Sequence, residues 1–350
     1  MSELKQTHLK KSVAPYEKTN IAISIRQIGN TLLPLVLLWA AAYASLSVSY
    51  WLTLLFAIPA SAFVVRTFII FHDCCHGSFF QSKRANDIMG IITGVLTLVP
   101  YQQWKNAHGI HHATSSNLDK RGVGDLWILT INEYEALTPF RKFIYRAYRN
   151  PLVMFGLGPI AVFIVQYRFN RKGAKRKERL NTYLMNILIV GFYALMCLTL
   201  GWQSFLLVQF PVFYLAGAMG IWLFYVQHQF EESYFEHNDE WSYVLAAVEG
   251  SSYYKLPKLL QWLTGNIGYH HVHHLAPKVP NYYLEHAHES TPPLQKATTI
   301  NIRQSLESLR FRLWDEDRKI FVSFRDARRH RMAKSKELVR GAVFTKPKAG

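Results

Sequence analysis

From residue 181 to residue 227 the chain reads NTYLMNILIVGFYALMCLTLGWQSFLLVQFPVFYLAGAMGIWLFYVQ, 47 residues without one Asp, Glu, Lys or Arg. A helix needs about 20 predominantly apolar residues to cross a bilayer. The stretch is therefore long enough for two spans, with Gly201-Trp202-Gln203-Ser204 as the turn between them. A second stretch, 27–65, holds 39 uncharged residues and is interrupted by Ser47-Val48-Ser49-Tyr50. The reading is four membrane helices, near 29–48, 51–71, 182–200 and 204–226. Trp39, Trp51, Trp202 and Trp222 include residues near the span ends, where indole rings favour the interface. Core helices of a soluble protein do not account for uncharged runs this long.

These runs explain a mean hydropathy of only +0.01. The rest of the chain is strongly basic: 40 Lys and Arg stand against 23 Asp and Glu, a formal charge of +17 over 350 residues. The aliphatic and aromatic content excludes a disordered chain. Three cysteines, Cys74, Cys75 and Cys197, form no CxxC, which argues against a disulfide scaffold or a thiolate metal cage. The first 20 residues are polar, so no signal peptide is expected.

Two shorter uncharged runs, 88–104 and 151–167, are 17 residues each and contain proline and glycine. They are read as re-entrant or interfacial segments. Lys5, Lys10, Lys11, Lys18 and Arg26 precede the first span. Arg168, Arg171, Lys172, Lys175, Arg176, Lys177 and Arg179 precede the third. The positive-inside rule puts both segments, and both chain ends, in the cytoplasm of a multi-pass plasma-membrane protein. The expected layout is a single domain, 1–350. It comprises a membrane hairpin (29–71), a cytoplasmic region (72–181), a second hairpin (182–227), a cytoplasmic region (228–300) and a basic tail (301–350). The tail is read as solvated, with attraction to anionic headgroups as a further role. Nucleic acid is not an expected partner, since no nucleic-acid motif accompanies the charge.

Histidine is the unusual residue. Of 15, most fall into tight groups. His72 and His76 form an HxxxH pair; His108, His111 and His112 form an HxxHH triplet; His270, His273 and His274 form another. Residues three and four apart share one helix face, so each group presents its imidazoles together. His228 stands at the end of the fourth span and supplies a ninth. Neutral imidazole is the commonest metal ligand. Eight or nine exceed the needs of one ion, so two metal ions are implied. All must lie on one side of the membrane, which requires that 88–104 does not cross. His271 is out of phase with its neighbours and is read as a non-ligand and a candidate partner of a ligand. His237 is read as a surface residue or a partner of a ligand; His8, His286, His288 and His330 are read as surface or core residues. Histidine ligation without thiolate disfavours iron–sulfur and thiolate-haem chemistry. Zinc suits hydrolysis, whereas iron that activates dioxygen can take hydrogen from an unactivated methylene.

The three groups with their flanks resemble the membrane fatty acid desaturases. The segment His72-Asp73-Cys74-Cys75-His76-Gly77-Ser78-Phe79 resembles that family's first histidine box. His111-His112-Ala113-Thr114-Ser115-Ser116-Asn117-Leu118-Asp119-Lys120-Arg121-Gly122 resembles the second with its tail. Gly265-Asn266-Ile267-Gly268-Tyr269-His270-His271-Val272-His273-His274-Leu275 resembles the third. Gln227-His228-Gln229-Phe230-Glu231 and Asn238-Asp239-Glu240-Trp241 fit the acyl-lipid branch, and nearly the whole chain is similar to its bacillar Δ5 group, which is cold-responsive. The resemblance implies an all-α integral membrane fold: four spans, re-entrant helices and a cytoplasmic helical cap with a diiron site. It implies iron ligands at His72, His76, His108, His111, His112, His270, His273 and His274, with His228 as the extra one. It implies O2-dependent desaturation of phospholipid acyl chains. No His-Pro-Gly-Gly motif occurs, so electrons are expected from a separate acidic carrier, ferredoxin or flavodoxin.

Asp73, Asp119, Asp125 and Glu231 are candidates to orient imidazoles by accepting the second N–H. Phe79, Phe80, Trp104, Trp222, Phe224 and Tyr225 are candidates to line an acyl channel. The rival readings are a hydroxylase or ketolase on the same scaffold, a desaturase of Δ12 or omega type, and a metal transporter. A transporter would carry ionisable residues along its spans, and the two long runs have none.

Overall fold

The computed structural model describes residues 3–333, with side chains from residue 7 onward. Four helices are long and apolar enough to cross a membrane: Ile21–Ser45, Tyr50–His76, Arg176–Leu200 and Trp202–His228. All four expected spans are present, and three extend well beyond their uncharged cores. Asn20 starts the first, accepting from the Ala22 and Ile23 amides at 3.0 and 3.2 Å. The second continues through the first histidine group and stops at Gly77, whose φ of +69° is the left-handed conformation that ends helices. Gly201, with φ +83°, separates the third from the fourth.

A 27-residue helix is about 40 Å long, roughly two turns more than a hydrocarbon core of about 30 Å. His72, His76 and His228 occupy such surplus turns. The outward faces are apolar: Leu33, Leu37, Trp51, Leu55, Ile187, Val190 and Leu198 are all exposed. In water such surfaces would associate; facing lipid they are matched.

Neither shorter run forms a spanning helix. Residues 88–104 belong to two 14-residue helices, Lys83–Leu96 and Tyr101–Thr114, which turn on each other through Leu98 and Val99. Close packing of this hairpin depends on Gly90, where a Cβ would lie 2.2 Å from the Tyr101 ring. Residues 151–167 form the short helix Pro151–Gly156, a π-helical segment Ile160–Val165 and a 3-10 turn.

The chain is mostly helical, as expected, with five additional strands of two or three residues among the described residues. The reading of the region beyond 300 as a solvated tail needs correction. Leu313–Asp315 pairs in parallel with Leu129–Thr130 and antiparallel with Ile320–Val322, and Tyr253–Lys255 pairs in parallel with Thr299–Asn301. The tail beyond 300 is therefore a folded element as far as 333. Trp314, Phe321 and Leu313 are at most 1% exposed. Both faces of this hairpin are covered, Trp314 and Phe321 packing with Leu118, Ile128 and Phe235, and Leu313 and Val322 with Tyr134 and Tyr145, which the basic composition of the segment conceals. Lys334, Lys336 and Arg340 lie outside the described residues.

Candidate metal centre

Four helices converge where two of the long helices end. His72 and His76 share a face of the Tyr50–His76 helix, with ring centroids 4.8 Å apart. His108, His111 and His112 lie in the last two turns of Tyr101–Thr114. His270, His273 and His274 occupy the six-residue helix His270–Leu275, and His228 ends Trp202–His228. All are buried except His76, which is half-buried.

The nine imidazoles divide into two groups. His72, His76, His108, His112 and His273 bring ligand atoms within 4.8 Å of one another, and so do His111, His228 and His274. His270 joins the second group, its Nε2 lying 3.0 Å from His228 Nε2 and 3.1 Å from His274 Nε2. Each HxxHH motif thus splits between the groups. The second motif gives His108 and His112 to one and His111 to the other; the third gives His273 to one and His270 and His274 to the other.

Hydrogen bonds at the far side of the rings determine which nitrogen faces inward. His111 Nδ1 lies 2.5 Å from Asp125 Oδ1, His72 Nδ1 lies 3.2 Å from Asp73 Oδ1, and His228 Nδ1 lies 3.3 Å from the Gly250 carbonyl. Carboxylate and carbonyl oxygens only accept, so these rings carry their proton on Nδ1 and present a lone pair at Nε2. His111 Nε2 and His228 Nε2 nevertheless face each other at 3.2 Å. Two lone pairs at that distance repel unless a cation lies between them. Nitrogens bound at about 2.1 Å and at right angles to one ion would be about 3.0 Å apart. His76 Nε2 is buried with no hydrogen-bond partner, an open donor to an ion. Burial, reinforced by the neighbouring imidazoles, pushes His108, His112, His270, His273 and His274 well below the ordinary histidine pKa. They are held neutral, the form that binds metal. The donor set fits a pair of metal ions.

Asp73 is braced in turn. Its Oδ2 accepts from the Asn281 backbone at 2.7 Å and side chain at 2.8 Å, and Asn281 also bonds Gln27. Asn281, Gln27 and Gly250 were not singled out from the sequence. Gln27 and Asn281 are 254 residues apart, and no local spacing joins them.

The other candidate partners lie elsewhere. Asp119 holds His237 at 2.8 Å and accepts from the Asn238 amide at 2.8 Å; it touches no clustered imidazole. His237 is exposed, with Glu316 3.1 Å from its other nitrogen. Glu231 is exposed, and its carbonyl accepts from the Phe321 amide. His271 turns away from both groups, with Nε2 3.0 Å from His288 Nδ1, and burial lowers its pKa to about 3.

A cavity of about 1660 Å³ passes the centre. His72, His108 and His270 open onto it, and Ala194, Cys197, Phe205 and Gln209 line it deep between the third and fourth long helices. Trp104 and Phe224 line it as expected; Trp104 stacks on His108 at 4.1 Å, and Phe224 lies 5.3 Å from His111. The other four proposed lining residues do not. Phe79 and Phe80 are packed into a core with Cys74 and Tyr101. Trp222 Nε1 donates to Tyr254 and Tyr225 Oη donates to the Ser308 carbonyl, so both face the cap.

Comparison with known proteins adds the following. A family model described as fatty acid desaturase matches residues 23–304. The chain is 63% identical over 321 residues to a fatty acid desaturase of Bacillus subtilis, covering 92% of this chain and 91% of that one. It is 28% identical over 264 residues to the chloroplastic omega-6 fatty acid desaturase of Arabidopsis thaliana, covering 69% of this chain and 53% of that one. It is 28% identical over 267 residues to an sn-1 oleoyl-lipid 12-desaturase of Picosynechococcus sp., covering 71% and 72%.

Proposed function

The chain belongs to the membrane fatty acid desaturase family, and on that footing we propose that it places a cis double bond at Δ5 in saturated acyl chains of membrane phospholipids. The observation that carries the reading is the nine imidazoles, split five and four, beside a long apolar cavity. His72, His76, His108, His112 and His273 would hold one iron ion, and His111, His228, His270 and His274 the other. Iron with dioxygen and two electrons supplies the oxidising power to remove two hydrogens from adjacent methylenes.

The protein supplies placement. Asp73, Asp125 and the Gly250 carbonyl keep the Nε2 lone pairs of His72, His111 and His228 directed inward. Trp104 and Phe224 wall the cavity where it passes the histidines and exclude water from the reacting methylene. A misplacement of about 1 Å costs roughly 10²-fold in rate, so a narrow apolar wall beside rigid helices suits the task. The Δ5 position rests on the likeness of the flanking segments to the bacillar Δ5 group. The basic segments before the first and third long helices support a cytoplasmic placement of the centre at the plasma membrane. An acidic carrier, ferredoxin or flavodoxin, would meet a basic surface there.

Lipid analysis of cells expressing the chain tests the reading. The expected result is new cis-monounsaturated phospholipid chains with the bond at Δ5 by mass spectrometry, lost on His111→Ala. A bond at Δ12 or counted from the methyl end overturns the Δ5 assignment. Hydroxylated chains in place of alkenes overturn desaturation.

A further inference from the structure

The cavity that passes the histidines is mostly but not wholly apolar. Its lining holds Cys197 and four cations, Arg121, Arg168, Arg171 and Lys172; Lys172 lies just before the Arg176–Leu200 helix and Arg168 is bonded to Asn186 further along it. Cys197 and Lys172 flank opposite ends of the 25-residue helix Arg176–Leu200, about 37 Å long. The cavity therefore extends along most of a membrane thickness, with basic residues in its lining.

Two of these cations are already matched. Arg171 donates to both oxygens of Glu178 at 2.6 and 2.9 Å, and Arg121 to both oxygens of Glu133 at 2.6 and 3.0 Å. Two are not. Arg168 donates to the Leu98 carbonyl and to Asn186 at 2.8 Å, both neutral, and its Nε is buried with no partner. Lys172 is exposed and meets no carboxylate among the described residues. The acids of the same lining, Asp119 and Asp125, are held by His237 and His111. Arg168 and Lys172 thus line an apolar cavity with no carboxylate partner among the described residues. That pattern matches an anionic head on a hydrocarbon chain.

Resting on the desaturase reading, we infer that Arg168 and Lys172 hold the phosphate of the membrane phospholipid whose acyl chain lies in the cavity. Arg168 suits a phosphate because its guanidinium is planar and stays charged when half-buried. Lys172 adds a mobile point charge at the level of the headgroups. The anchor is also mechanically close to the metal centre. Arg168 follows Tyr167, Tyr167 is hydrogen-bonded by Trp104, and Trp104 stacks on His108 at 4.1 Å. A fixed span between phosphate and histidines makes the enzyme count from the headgroup end of the chain. The methyl end then runs toward Cys197, where surplus length has room.

The test uses the full-length protein as purified in detergent, without an electron donor, with native mass spectrometry of retained lipid. Phosphatidylglycerol should be retained about tenfold more than diacylglycerol of the same chains, and Arg168→Gln or Lys172→Gln should each remove most of that preference. Arg325→Gln, an exposed basic residue off the cavity, should retain it. Lys172 makes no bond that folding needs, so its variant decides the matter if Arg168→Gln fails to fold. Equal retention of both lipids, or unchanged retention in Lys172→Gln, overturns the assignment. So does displacement of the lipid by inorganic phosphate alone, which would make the site one for free phosphate. In cells, acyl chains of different length should carry the double bond at the same carbon from the carboxyl; a constant distance from the methyl end overturns the counting. Because retention needs no turnover, it is read independently of whether the wild type makes any double bond.

Discussion

A histidine that presents Nε2 to a metal must keep its proton on Nδ1, and something must hold it there. Asp125 does this for His111 at 2.5 Å. Asp125→Asn keeps the shape but can offer an N–H in place of an acceptor, which favours the wrong tautomer. The expected result is a loss of about 10–100-fold in metal affinity, measured as iron per protein with an unchanged circular dichroism spectrum. Glu231→Gln should leave iron content unchanged, because Glu231 is exposed and away from the centre. His237 gives a pH dependence. Hydrogen bonds to Asp119 and Glu316 raise its pKa above the ordinary value. The folded state therefore binds this proton more tightly than the unfolded chain does. The stabilisation is complete below about pH 6.5 and is lost as pH rises through the raised value. Amide exchange in the 313–322 hairpin, corrected for its intrinsic rate, should accelerate as pH rises above about 6.5. His237→Gln should abolish that change.

At the scale of elements, the long helices do two things at once: they are long and apolar enough to cross a bilayer, and two of them carry clustered histidines on turns beyond that length. The Trp202–His228 helix also shapes the cavity. Gly220 lines the cavity one turn before Phe224, and a Cβ there would meet nothing within 4 Å. Gly220→Phe should fold normally and fill that space. Conversion of long chains should fall more than that of short ones, by about tenfold or more if the ring takes up a near-attack position; an unchanged chain-length profile would show that the acyl chain runs elsewhere. The helix remained legible in sequence because a membrane span writes its length as an uncharged run. The cavity was only partly legible. Trp104 and Phe224 line it, but Trp222 and Tyr225, on the same apolar helix, point into the cap. A helix apolar all round carries no periodicity to say which face meets a cavity.

For the whole molecule, the region beyond residue 300 closes the cap. Trp314 is fully buried among Phe235 and Phe321. Trp314→Ala should destabilise the fold by about 3–5 kcal/mol, visible as a lower midpoint in thermal unfolding of the detergent-solubilised protein. A solvated tail would give no change. Composition misreads this region because three-residue strands gain their stability from partners more than 180 residues away, such as Leu129 beside Leu313. The sequence by itself determined the four long helices and the nine clustered histidines, because both are encoded locally, in uncharged runs and in spacings of three and four. Only the tertiary structure decided how those histidines divide into five and four, that Asp73 and Asp125 rather than Asp119 and Glu231 hydrogen-bond to them, and that Arg168 and Lys172 line the cavity with no carboxylate partner among the described residues. Those facts depend on which distant side chains share a space, and chain folding alone brings them together.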